Sequence, residues 1–194
     1  MNQTAFQSAL ATLLACENLV VTYNAKATTA SFNVQTRQLE LPVLEGQDDE
    51  LEYGLLTHEV AHALYSDMDE LSDMSRKYGH SKVNIAEDLR IERLMKAKYP
   101  GVARKLPRAW TSFLPRIFPD GMQITENFWT RVNAELKTDL HYTVPFSCDE
   151  RAAVRAISAV VNSDGSLEEI IQIIDSFAKE ENDENAEREA QEPT

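Results

Sequence analysis

The stretch Leu55-Leu56-Thr57-His58-Glu59-Val60-Ala61-His62-Ala63-Leu64-Tyr65 decides how this chain is read. Side chains advance about 100° per residue around a helix, so His58 and His62 stand on one face, a turn apart. Two imidazoles at that spacing can grip one zinc ion. Glu59 beside them is placed to take a proton from a water held there. Leu51, Leu55 and Tyr65 share the histidines' face, while Leu56, Val60 and Leu64 make other sides apolar too. A helix apolar nearly all round is a buried one. Buried imidazoles and a buried carboxylate need partners, because unpaired polar groups in a core cost several kcal/mol, and a metal satisfies all three.

A catalytic zinc site usually takes three protein ligands and leaves one position to water. A Gly three places after His62 and a His six places after it would mark the metzincin pattern, but Tyr65 and Met68 stand there. The next candidate segment is residues 83–95, which also reads as a helix. Ile91, Leu94 and Met95 share an inward face, and that face projects back onto Asn84, Glu87 and Asp88. An inward stripe that turns polar at one end makes sense if that end meets a cation. Glu87 or Asp88 can supply the third ligand, and spacing does not choose between them. Glu87 is favoured, with Asp88 or Asn84 holding a ligand imidazole in place. His80 competes as a ligand from a polar Gly-His-Ser stretch. Arg90, Glu92, Arg93 and Lys96 lie elsewhere on the helix, as a solvated face would. Such a site normally adds a donor for a developing oxyanion, and the candidates are Tyr65, His80, His141 and Tyr142.

His58 to His62 with a downstream Glu87 resembles the gluzincin class of zinc metallopeptidases. The likeness extends to Ser31-Phe32-Asn33-Val34, Leu39-Glu40-Leu41-Pro42, Asn84-Ile85-Ala86-Glu87-Asp88-Leu89-Arg90-Ile91-Glu92 and Tyr99-Pro100-Gly101. Over roughly residues 28–105 the chain is similar to metallopeptidases of bacteria and their phages. Those are often fused to a von Willebrand factor A-like domain and are similar to the T subunit of cobaltochelatase. The resemblance implies a zincin-like fold, a zinc cofactor and a peptide or protein substrate. It departs at Ile91, where the thermolysin-like branch has an acid four places after the ligand Glu. It departs again in lacking any Asp-x-Ser-x-Ser motif of a von Willebrand domain.

Net charge is −13, which disfavours nucleic acid or an anionic membrane as the main partner. Part of that charge is local: residues 179–194 carry seven acids against two bases and read as a disordered acidic tail. A protein partner, or a further domain joined through this tail, is the corresponding expectation. Cys16 and Cys148 make no disulfide framework. Leu13-Leu14-Ala15-Cys16 superficially resembles a lipoprotein cleavage box, but no Lys or Arg precedes it. Phe6, Leu10, Leu13 and Leu14 recur instead at helical spacing. With no span long enough for a membrane helix, a cytoplasmic protein is expected.

The expected fold is α+β and mainly α: a single zincin-like domain over 1–178, followed by the tail. Its N-terminal part, 1–80, holds a short strand at 19–23, a hairpin from 30–34 and 38–41, and the helix bearing His58. The part over 81–178 reads as helices at about 81–99, 109–118, 125–140, 149–161 and 166–181. Pro100-Gly101 stops the first of these, and Asn162-Ser163-Asp164-Gly165 makes a turn. Two roles fit the site. One is peptide-bond hydrolysis with Glu59 as general base, or the same chemistry on a non-peptide amide. The other is a zinc-stabilised, non-catalytic binding or accessory subunit.

Overall fold

A computed structural model describes residues 20–27, 30–33, 35–43, 49–123, 127–138, 144–163, 165–173 and 175–176. The expected first helix around Phe6 to Leu14, the acidic tail, His141 and Tyr142 lie outside these residues. Within them the protein is α+β and mainly helical, with one small sheet.

Three strands form that sheet: β1 (Val20–Asn24), β2 (Ser31–Asn33) and β3 (Gln38–Pro42), in the order β1-β3-β2. β2 and β3 make the expected antiparallel hairpin, with Phe32 opposite Leu39. The Asn33 side chain nucleates its turn by accepting hydrogen bonds from the Gln35 and Thr36 amides, at 3.0 and 2.9 Å. β1 pairs parallel to β3, Val20 against Gln38 through Asn24 against Pro42. Leu39 and Leu41 alternate onto one face and are fully buried.

Helix α1 (Asp49–Tyr65) begins with Asp49, Glu50 and Glu52, acids that suit the positive end of a helix dipole. Its Leu51, Leu55, Leu56, Val60 and Ala61 enter one core with Leu39 and Leu41. Tyr23 of β1 donates to the Glu52 carboxylate at 3.1 Å and ties sheet to helix. Helix α2 (Met68–Tyr78) was not expected; Leu71, Met74 and Tyr78 recur at helical spacing, but the segment buries none of its residues. Gly79, at φ +92°, ends it in a left-handed conformation that glycine adopts without a Cβ clash. Helix α3 (His80–Lys98) follows.

Helix α4 (Pro100–Ile117) corrects the expectation of a break at Pro100-Gly101 and a restart near residue 109. Pro100 sits at the helix start, where its missing N–H costs nothing and its fixed φ is already helical. Pro107 lies inside the helix, at a cost of about 3 kcal/mol. Val102, Leu106, Ala109 and Trp110, all buried at helical spacing, outweigh it. Helix α5 (Phe128–Lys137) is capped by Asn127, which accepts from the Trp129 amide at 2.9 Å. Helix α6 (Cys148–Asn162) opens with a reciprocal capping box between Ser147 and Glu150. Residues 167–173 are helical as well. No helix among the described residues is long and apolar enough to cross a membrane.

The residues group into two compact units interleaved in sequence: Met1–Asp67 with Asp88–Pro145, and Met68–Glu87 with Phe146–Thr194. The first holds the sheet, α1, α4, α5 and the part of α3 from Asp88 onward. The second holds α2, the first turns of α3, α6 and residues 167–173. Its buried apolar side chains, among the described residues, are Val83, Ala86, Val154, Ile157, Val161, Leu167, Ile170 and Ile171. Lys77 and Tyr78 both bond the Glu168 carboxylate there, at 2.9 and 3.1 Å, and Lys82 pairs with Asp175.

In the first unit α1 and α4 approach closely at Gly54, where an added Cβ would stand 2.7 Å from the Ala109 Cβ. Neither methyl can swing aside. Gly54→Ala is therefore expected to destabilise the fold by about 1–3 kcal/mol despite alanine's better helix propensity. Urea denaturation should show the loss, and adding Ala109→Gly should recover most of it. A Gly54→Ala protein as stable as its parent would mean the two helices are not in contact at this point.

Candidate metal centre

α1 places His58 and His62 one turn apart, their rings 4.8 Å between centroids and nearly perpendicular. Each ring is gripped at Nδ1. His58 Nδ1 donates to Glu92 Oε1 at 2.9 Å, and His62 Nδ1 is bonded to the Ser66 hydroxyl at 2.9 Å. Glu92 is ionised, so the proton of the first bond belongs to His58 Nδ1, and the lone pair of that ring is left on Nε2. Both Nε2 atoms face Asp88 Oδ1, at 3.6 Å from His58 and 3.4 Å from His62.

Those separations are longer than ordinary hydrogen bonds. They match the spacing of about 3.3 Å between two donors on one tetrahedral zinc ion with bonds near 2.0–2.1 Å. Asp88 Oδ1 is buried and has no hydrogen-bond partner. Among the described residues His58, His62 and Asp88 form a group whose ligand atoms lie within 4.8 Å of one another, and that group could hold a metal ion.

A buried cation completes the cluster. Lys137, from α5, reaches Asp88 Oδ2 at 2.7 Å and Glu92 Oε1 at 3.1 Å. Trp110, from α4, donates its indole N–H to Glu92 Oε2 at 3.1 Å and meets the His58 ring edge-on at 5.6 Å. Burial pushes the Lys137 ammonium down, but Asp88 and Glu92 more than offset it and hold its pKa up at about 12. Burial pushes Asp88 up, yet Lys137 and His58 hold its carboxyl well below the usual carboxylate range. The balance in Glu92 is the same: burial raises it, Lys137 and His58 outweigh burial, and it is lowered. His58 is pulled down by burial and by Lys137 and up by Asp88 and Glu92, and the carboxylates prevail. Glu59, 8% exposed, is raised above the usual glutamate value by burial first and Asp88 second, against the lowering pull of the two imidazoles. With Glu59, Asp88 and Glu92 ionised, three carboxylates against one ammonium leave two negative charges, which a divalent cation would balance.

The histidines and Glu59 stand where the sequence motif puts them. Of the two acids that spacing left open, Asp88 joins the histidines and Glu87 does not. Glu87 is buried (1% exposed) in the turns of α3 that belong to the second unit. A step of one residue on a helix turns a side chain by about 100°, enough to separate the two acids. The work of holding an imidazole, expected of Asp88 or Asn84, is done by Glu92 and Ser66, and Asn84 is exposed. Glu92, read from sequence as part of a solvated face, is 1% exposed. His80 is exposed at the start of α3, in the part of it that belongs to the second unit. Tyr65 is half-buried against the core, and its backbone carbonyl accepts from Arg90 at 2.7 Å. Lys137 and Trp110 carried no sequence signal of a role in the centre. Glu92 did: it stands four places after Asp88, the same interval that separates His58 from His62. No family model, curated protein or solved structure matches the chain.

In the metal-free protein the raised His58 pKa sets the sign of its contribution. Its pairing with Asp88 and Glu92 stabilises fully below about pH 6.5 and fades as pH rises through the folded value. Metal uptake runs the other way, since the ligand nitrogen must be unprotonated. Thermal denaturation in EDTA should therefore show this contribution falling as pH rises above about 6.5, while the rise in Tm on adding zinc grows in the same direction. His58→Gln should erase both trends, and an EDTA profile identical to wild type in that variant would contradict the assignment.

Proposed function

We propose that the chain is a zinc-dependent hydrolase of peptide bonds, with His58, His62 and Asp88 as the metal-holding residues and Glu59 as the general base. One observation carries this reading: two Nε2 atoms, with Nδ1 partners in place, lie 3.6 and 3.4 Å from one unbonded carboxylate oxygen, all three within 4.8 Å of one another. Two neutral imidazoles and one carboxylate are a donor set that suits zinc. The likeness to gluzincin-type metallopeptidases, and the small sheet beside the histidine-bearing helix, support a zincin-like fold and a peptide substrate. The acid expected four places beyond the ligand is then present as Glu92, provided the ligand is Asp88.

When bound there, zinc supplies Lewis acidity to a water and to the substrate carbonyl. The chain's own residues do the rest. Glu92 and Ser66 fix the rings so that both Nε2 lone pairs point inward. Glu59 takes the proton of the attacking water at its carboxylate and passes it to the leaving nitrogen. Its burial, which raises its proton affinity, suits a group that must hold that proton for part of the cycle. Asp88 and Glu92, held ionised, take no part in proton transfer.

Glu59→Gln tests the reading. It should lower cleavage of a mixed peptide library by about 10²–10⁴-fold while leaving zinc content and Tm at wild-type values. If wild type and Glu59→Gln retain zinc alike and neither cuts any substrate, the site is structural and the chain is a zinc-stabilised binding subunit instead.

A further inference from the structure

We infer that Lys137 is the positioning residue that makes Asp88 a one-oxygen donor, an inference that rests on the metal-centre reading of His58, His62 and Asp88. A free carboxylate can close on a cation with both oxygens. Here Oδ2 is already taken by the Lys137 ammonium at 2.7 Å, and only Oδ1 faces the two imidazoles. The same ammonium lies 3.1 Å from Glu92 Oε1, the oxygen that accepts from His58 Nδ1. One cation therefore spans the donor carboxylate and the acid that orients a donor imidazole, and it fixes the angle between them.

Lys137 is built to stay there. Its side chain is 10% exposed, and its ammonium lies 5.1 Å from the centroid of the Trp110 ring, whose N–H bonds the other oxygen of Glu92. An ammonium has three N–H groups, so it can serve both carboxylates at once. A planar guanidinium can bridge the same two oxygens, whereas a thioether cannot.

Cobalt(II) in place of zinc reads the outcome, because its visible absorption is intense when four-coordinate and weak when a fifth donor enters. Wild type and Lys137→Arg should bind Co2+ and show the intense band. Lys137→Met should bind Co2+ but lose that band, as Asp88 closes with both oxygens. Far-UV circular dichroism establishes that each variant folds. Should Lys137→Met not fold, Lys137→Gln, which keeps a polar head but stops short of Asp88, takes its place and should lose the band in the same way. A variant without the cation that keeps the wild-type band overturns the inference, and so does an arginine variant that loses it. A wild-type protein that takes up no Co2+ or Zn2+ removes the metal-centre reading itself, a failure told apart by the wild-type titration alone.

Discussion

Asp88 and Glu92 are two carboxylates one helical turn apart in the interior of the first unit, and Lys137, which pairs with both, together with His58 offsets the cost of burying their charges. Like charges so close would otherwise drive one of them to take up a proton. With the ammonium in place both are held low, His58 is obliged to donate its Nδ1 proton, and its Nε2 turns toward Asp88. The orientation of the centre follows from this one charge pairing. Buried pairs of this kind add little net stability compared with an apolar core. Removing one member, however, typically costs about 3–5 kcal/mol, because the partner is stranded without solvent. The arrangement is better understood as fixing which atoms face the centre than as strengthening the fold.

The fold makes that pairing available by bringing α1, α4 and α5 to the Asp88–Glu92 turn of α3, four helices in all. α1 offers its histidines from a helix buried on several sides, with the sheet on one side and α4 at the Gly54–Ala109 contact on another. α4 adds Trp110 and α5 adds Lys137. These two elements come from parts of the sequence with no metal-binding pattern.

Much of this was legible beforehand, and the reasons differ by element. The β2–β3 hairpin and α1 declared themselves through alternation, turn residues and a run of apolar positions at helical spacing. α4 did not, because Pro100-Gly101 was read as a stop, with the next helix starting only near residue 109. What keeps it helical is the burial of Val102, Leu106 and Trp110, a tertiary effect that no local rule weighs. In the centre, the H-E-x-x-H spacing fixed three residues. Which of the two acids stands beside the histidines was not legible, because the inward stripe of α3 was drawn from Ile91, Leu94 and Met95, and Glu87 and Asp88 flank that stripe almost equally. Counted from Asp88 rather than from Glu87, the residue four places on is Glu92 instead of Ile91. Lys137 lay beyond reach, since a lone lysine near a helix end usually faces water. Only contact with two carboxylates from a distant helix distinguishes it.

Trp110 carries a last consequence. Its indole N–H donates to Glu92 and its ring meets the His58 ring edge-on at 5.6 Å, close enough for the charge on that ring to act on indole emission. One of the chain's two tryptophans is thereby placed as a built-in optical probe of the centre, with no label attached.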